Sequence, residues 1–200
     1  MKKNRAVFLD RDGTINRDVG YPNSYDMVEI YPYSFASIRK INEAGLLSII
    51  VTNQSGIGKG FIEEKNLQDI HRKLRQDFAK QKVTIDGIYY CPHYEYSEIP
   101  EYRKACDCRK PNLGMARQAV QDFRIDTAKS YMVGDKVEDI LFGMNIHATS
   151  ILLLTGFGQK SLSKLKEMGV DPAHVAETLK EAVDWILERE RERKRDAGIK

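Results

Sequence analysis

The sequence has no long hydrophobic run. Two lysines and an arginine stand before an apolar stretch near the N-terminus, but that stretch is only Ala6–Leu9. It is far too short for the core of a signal peptide, and no other segment approaches membrane-spanning length. The expected location is therefore the cytoplasm, with no membrane partner. Charge of one sign is also lacking, since the net value is +3. That excess admits anionic small ligands but gives no field or aromatic-basic groove for nucleic acid. There is no internal repeat and no linker dividing the 200 residues, so one domain over 1–200 is expected, acting as a monomer. Cysteine is scarce. An odd count of three, with no export signal, excludes a disulfide framework. Yet Cys91, Cys106 and Cys108 are clustered, with His93 beside the first.

What is present is an alternation of strand and helix patterns. Apolar runs predict strands over Arg5–Asp10, Leu46–Thr52, Gly87–Cys91, Ser130–Gly134 and Ser150–Leu154, with a weaker one at His174–Ala176. Helical spacing predicts helices over Tyr33–Ala44, Glu63–Gln81, Leu113–Phe123, Val137–Asn145 and from Leu179 onward. Such alternation implies an α/β fold, a doubly wound parallel sheet with helices on both faces. Ligands of such sheets bind beyond the carboxyl ends of the strands. Asp10, Thr52-Asn53 and Asp135 stand at three of those ends and should converge on one crevice. The segment Glu188–Asp196 alternates acid and base, and residues 186–200 are read as a solvated helical tail. His71 is placed on the exposed side of its helix; His147 and His174 fall near turns or a strand edge, and none of the three is assigned a role.

Asp10-Arg11-Asp12-Gly13-Thr14 leaves the first strand. Carboxylates two positions apart point the same way while the chain stays extended. Alone, such a pair more often marks a solvated strand end with a turn. Crowded carboxylates need a cation among them or a proton on one of them. Asp135 and Asp139, one helical turn apart, add two more acids, and Lys110 supplies positive charge before a helix. An all-oxygen donor set suits Mg²⁺. Cys91-Pro92-His93 and Cys106-Asp107-Cys108 offer three thiolates and an imidazole, a closed tetrahedral set that suits Zn²⁺. The alternative is three buried free cysteines and an unrelated histidine. The polar loop between the pairs has no apolar period of its own, and a metal would order it.

The segments DRDGT, Val51-Thr52-Asn53-Gln54, Lys110 and Gly134-Asp135-Lys136-Val137-Glu138-Asp139 resemble, in order and spacing, the four motifs of the haloacid dehalogenase superfamily. The resemblance implies a Rossmann-like phosphatase with a minimal cap and a zinc-stabilised loop at 91–109. In it Asp10 is the nucleophile and Asp12 the acid–base group, while Thr52 and Lys110 hold the phosphoryl oxygens. Mg²⁺ would lie on Asp10, the Asp12 carbonyl and Asp135, with Asp139 nearby. Zn²⁺ would lie on Cys91, His93, Cys106 and Cys108.

The segments LDRDGTIN, Asp18-Val19-Gly20-Tyr21, Thr52–Ile57, DGIYYCPH and CDCRKP are similar to the zinc-bearing branch. That branch holds the D-glycero-D-manno-heptose 1,7-bisphosphate 7-phosphatases and the histidinol-phosphate phosphatases, and the heptose enzymes match better. It implies a small sugar bisphosphate as partner, contacted by Asp18, Val19, Gly20, Tyr21, Asn53, Gln54, Ser55, Arg109 and Lys136. Asn112-Leu113-Gly114, Gly58-Lys59-Gly60 and Leu154–Gly158 depart from the branch pattern, which bears on the particular sugar phosphate and not on the chemistry. Outside enzymes, the alternative is a zinc-stabilised binding module.

Overall fold

The computed structural model describes residues 3–196 and 198. Its centre is β1 (Ala6–Leu9), whose four residues are all buried. Alternate side chains go to opposite faces of a strand. Val7 and Leu9 enter one core, and Ala6 and Phe8 enter another. Burial on both faces is the property of a parallel sheet covered on each side by helices.

The strands are β1, β2 (Leu47–Asn53), β3 (Gly87–Cys91), β4 (Tyr131–Gly134), β5 (Thr149–Leu153) and β6 (His174–Ala176). They pair in the order β3-β2-β1-β4-β5-β6, every pair parallel. The helices are α1 (Ser34–Glu43), α2 (Glu64–Lys80), α3 (Gly114–Phe123), α4 (Val137–Asn145), α5 (Gly158–Glu167) and α6 (Leu179–Asp196). Ile38 and Ile41 of α1, Leu74 and Phe78 of α2, and Val183 and Ile186 of α6 pack with Val7 and Leu9. Met115, Ala116 and Ala119 of α3 and Phe142 of α4 pack with Ala6 and Phe8. Strand order reverses at β1, so the crevice between the carboxyl ends of β1 and β4 is the switch point where such sheets bind ligands. Among the described residues no helix is long and apolar enough to cross a membrane.

Most predicted elements are present within a residue or two of their expected ends, and the doubly wound α/β fold is present. Three expectations need correction. Helix α5 was not anticipated, because its inward positions are Gly158, Ser161 and Leu165, only one of them a large apolar residue. The tail read as solvated is part of α6, and Ile186 and Glu190 are buried. Glu190 accepts from Tyr131 Oη at 2.9 Å and from Arg193 Nη1 at 2.9 Å, and pairs with Arg5. The expected tail residues 197, 199 and 200 lie outside the described residues. Finally, His71 is buried rather than exposed.

No separate cap covers the crevice among the described residues. Two segments flank it instead. Residues 16–31 are held by Arg17 N to Glu29 O (2.8 Å) and Tyr31 N to Ile15 O (3.1 Å). The loop after β3 is held by Tyr102 Oη, which donates to Glu64 Oε2 of α2 at 2.8 Å.

Candidate active site

The register of β1 on β4 pairs Leu9 with Val133, and Asp10 N donates to Val133 O at 2.9 Å. Asp10 and Asp135 thus leave neighbouring strands side by side. One turn into α4, Asp139 accepts from Lys136 N at 3.0 Å through Oδ2 and turns inward. One oxygen from each of Asp10, Asp135 and Asp139 lies within 4.8 Å of the others, all three residues buried. Asp135 Oδ2 accepts from Phe157 N at 2.7 Å, while its Oδ1 is buried without a hydrogen-bond partner. Gly13 and Gly156 enclose this carboxylate so closely that a Cβ on either would collide with it. A buried, orphaned carboxylate oxygen among two further acids fits a hard divalent cation, and Asp10, Asp135 and the adjacent Asp139 are the side chains able to hold it.

Two lysines balance these acids. Lys110 Nζ lies 2.6 Å from Asp10 Oδ1, 2.6 Å from Asp139 Oδ1 and 2.7 Å from Val51 O. Burial works against its charge, but Asp10 and Asp139 hold its pKa above the usual lysine value. Lys136 behaves likewise. Burial is outweighed by Asp10, Asp135 and Asp18, and its Nζ is 3.0 Å from Asp18 Oδ2. Asn53 fixes Lys110 from behind, since Lys110 N donates to Asn53 Oδ1 at 2.9 Å and Asn53 Nδ2 donates to Lys110 O at 3.2 Å. Thr52 Oγ1 accepts from Gln54 Nε2 at 2.9 Å, leaving its own proton to donate.

Asp12 stands apart from the three-acid group. Its oxygens accept from Arg11, from Asn16 Nδ2 (2.9 Å) and from Gln54 Nε2 (2.8 Å). Burial alone would raise its pKa, but Arg11 and these donors hold the carboxyl below the usual range. Asp10 is displaced the other way, up to about 6, by burial and by Asp139 and Asp12 against the two lysines. Two neighbouring carboxyls with opposed shifts are suited to different roles. Asp10, Asp12, Thr52, Asn53, Lys110 and Lys136 line one small cavity of about 20 Å³.

Burial, Asp10 and Asp139 push Asp135 up to about 8. The sign follows from linkage. A carboxyl whose pKa is higher folded than unfolded binds protons that the unfolded chain releases, so stability falls as pH rises between the two values. Above pH 6.5 Asp10 (about 6) is largely ionised, whereas Asp135 is still titrating. Between pH 7 and 8, where the unfolded chain's histidines are mostly neutral already and offset it little, the Mg²⁺-free chain should therefore lose melting temperature. Added Mg²⁺ should largely restore it at pH 8, and Asp135→Asn should flatten the profile. A melting temperature that is constant or rises over this range without Mg²⁺ would count against the carboxylate cluster as described.

The four zinc candidates also converge. Cys108 Sγ lies 3.1 Å from Cys91 Sγ and 3.4 Å from Cys106 Sγ, and Cys91 and Cys106 are 3.4 Å apart. His93 Nδ1 lies 3.1 Å from Cys108 Sγ and 3.6 Å from Cys91 Sγ. All three cysteines are free. A tetrahedron with Zn–S near 2.3 Å has edges of about 3.8 Å; the four donor atoms are gathered slightly more tightly than that, as a set that could close on one zinc ion.

Of the expected substrate residues, Asn53 and Lys136 line the small cavity and Arg109 lines a wider one beside it. Asp18 links its segment to Lys136 and caps Gly20 N at 3.0 Å. Tyr21 is exposed, packs at a tilt against Phe61 with centroids 4.9 Å apart, and accepts from Lys59 Nζ at 2.9 Å. Val19 is half-buried in the same turn, as is Ser55 beyond β2. Arg109 lines a wider cavity of about 410 Å³ with Tyr94, Lys104, Asn112 and Glu138, and Lys110 and Glu138 line both this cavity and the small one. Its Nη1 is buried with no partner. The sequence reading missed Arg11, Asn16 and Glu138. Arg11 is the variable position of the aspartate motif, where nothing local marks a function.

Residues 107–182 match the HAD-hydrolase-like family model. The D-glycero-beta-D-manno-heptose-1,7-bisphosphate 7-phosphatase of Haemophilus ducreyi is 43% identical over 157 residues, spanning 76% of this chain and 84% of that one. The Escherichia coli K12 enzyme of the same name is 41% identical over 152 residues, spanning 76% and 80%. A solved structure, the D,D-heptose 1,7-bisphosphate phosphatase from B. bronchiseptica with magnesium and phosphate, superposes with a TM-score of 0.81 at 29% identity. It covers 92% of this chain and 99% of that one. The chain is a phosphoric monoester hydrolase of the haloacid dehalogenase superfamily. Within it, the chain belongs to the family of the D-glycero-beta-D-manno-heptose-1,7-bisphosphate 7-phosphatases.

Proposed function

We propose that the chain removes the 7-phosphate of a D-glycero-D-manno-heptose 1,7-bisphosphate in a Mg²⁺-dependent reaction through an aspartyl-phosphate. The observation that carries this reading is the cluster of Asp10, Asp135 and Asp139, with a bare Asp135 Oδ1 and Lys110 wedged between Asp10 and Asp139. Asp10, Asp135 and the Asp12 carbonyl would hold Mg²⁺, with Asp139 beside them. The ion supplies positive charge to the phosphoryl oxygens. Asp10 attacks phosphorus, and the bond to the leaving oxygen breaks as the aspartyl-phosphate forms. Lys110 and the Thr52 hydroxyl stabilise the equatorial oxygens, where charge spreads in the transition state. Asp12 gives the leaving oxygen its proton and then takes one from the attacking water. Free Asp12 is held as a carboxylate by Arg11, but a phosphate dianion beside it raises its proton affinity, so the proton arrives with the substrate.

Zn²⁺ on Cys91, His93, Cys106 and Cys108 would be structural, since four protein ligands leave no open position. The setting is the cytoplasm, where such thiolates stay reduced. The second phosphate is assigned to Arg109, which lines the cavity next to the reacting centre and whose buried Nη1 has no hydrogen-bond partner. A guanidinium can hold a phosphate through two parallel hydrogen bonds. Lys104 lines the same cavity, beside Glu95 and Glu138, and the unpartnered guanidinium disfavours the cationic amine of histidinol phosphate. Arg109→Ala should lower kcat/KM for the bisphosphate by about 1.5–3 kcal/mol, roughly 10- to 150-fold, mostly through KM. Simple monophosphates should lose much less. Steady-state kinetics on both substrate classes test this, and equal losses would assign Arg109 to the reacting phosphate instead.

A further inference from the structure

Helix α2 buries Leu67, Ile70, His71, Leu74 and Phe78 along one stripe. Four of the five are apolar, and any of several apolar side chains would fill the fifth position for packing alone. His71 is instead aimed at a charge. Its Nε2 lies 3.0 Å from Arg11 Nη1. Arg11 is fully buried and reaches the other way to Asp12. Its Nε and Nη2 contact Asp12 Oδ1 at 3.1 and 3.0 Å, and Nη2 contacts Oδ2 at 2.8 Å. A guanidinium is always protonated and has no acceptor. His71 therefore accepts through a neutral Nε2 and carries its proton on Nδ1. Burial and Arg11 both favour that neutral form, pushing the imidazole pKa down to about 3.

We propose that His71 is a positioning residue for the acid–base carboxylate: it fixes Nη1 of Arg11, and Arg11 then orients the Asp12 carboxylate at the wall of the phosphoryl cavity. This rests on the reading of Asp12 as the acid–base group. Rigid placement matters there because proton delivery to a leaving oxygen depends steeply on geometry. Asn16 gives Asp12 Oδ1 and Gln54 gives Oδ2 one hydrogen bond each from a side-chain amide, and the guanidinium fork adds the charged contact to both oxygens. With His71 removed, a buried N–H of Arg11 is orphaned and the fork is free to tilt towards another acceptor.

The test uses leaving-group dependence on the full, Mg²⁺-loaded chain. kcat/KM covers the steps through cleavage of the ester, and an alkoxide needs Asp12's proton where p-nitrophenolate does not. The alkyl ester is the heptose bisphosphate or, if the unmodified chain does not take it, the best primary-alcohol phosphate of a panel. His71→Ala should cut kcat/KM for the alkyl ester by about 10- to 100-fold, and for p-nitrophenyl phosphate by no more than about threefold. His71→Gln, which keeps an acceptor, should recover most of the loss. Equal losses on both esters, no loss on the alkyl ester, or no rescue by a folded His71→Gln would overturn the positioning role while leaving the phosphatase reading standing. An unmodified chain without Mg²⁺-dependent phosphatase activity would overturn both.

Discussion

Asp10→Asn should lower turnover by on the order of a thousandfold or more while the protein stays folded. The amide keeps the shape of the side chain and removes the attacking charge. Lys110 would retain Asp139 Oδ1 and Val51 O, so the buried ammonium is not left unpaired. One of three mutually repelling carboxylates is gone, and melting temperature in the absence of Mg²⁺ should hold or rise. The pairing of those results is what distinguishes a nucleophile from a structural acid. A structural acid would cost stability and activity together. An Asp10→Asn protein that keeps most of its Mg²⁺-dependent turnover would refute the assigned chemistry.

The second large effect concerns the thiolate cluster. Cys106→Ser should strip most of the zinc, lower the melting temperature and reduce activity at least about tenfold. The loss of activity would be indirect. Cys91 closes β3, and Cys106 and Cys108 stand at the far end of the loop, immediately before Arg109 and Lys110. A loosened cluster frees the backbone that places Lys110 Nζ between Asp10 and Asp139. The effect should therefore appear in kcat for all phosphate esters and not for the bisphosphate alone. Elemental analysis of protein purified without chelator, alongside melting curves, checks it. A wild-type preparation with neither zinc nor iron, or a variant as stable and active as wild type, would remove the metal from the account.

Much of this was readable in the sequence because it is local. Strand β1 is an unbroken apolar run that stops one residue before Asp10, and helix α4 starts two residues after Asp135. The clustered cysteines could be seen as a ligand set without any knowledge of the fold. What escaped is non-local or disguised by residue type. Position 71 lies on the apolar stripe of α2 by spacing alone, but a histidine among arginines and lysines reads as solvent-facing. Its partner, Arg11, is 60 residues away. Glu190 sits inside a run of alternating charges, and its partners Arg5 and Tyr131 are 185 and 59 residues distant. The wedging of Lys110 between two acids depends on strand order, which brings β1, β2 and β4 together and which no local pattern encodes. Helix α5 buries glycine and serine where a hydrophobic stripe would have announced it.

The central claim is that Asp10 carries the phosphoryl group during turnover. It is tested most directly by acid-quenching an Asp12→Asn variant in the presence of Mg²⁺ and p-nitrophenyl phosphate, then mapping the phosphorylated peptide by mass spectrometry. That ester needs no proton on its leaving group, and without the Asp12 base the intermediate should outlive the quench. A phosphoryl group on Asp10 approaching one per chain is the predicted result. Phosphate on another residue, or none while the unmodified enzyme turns over normally, would contradict it.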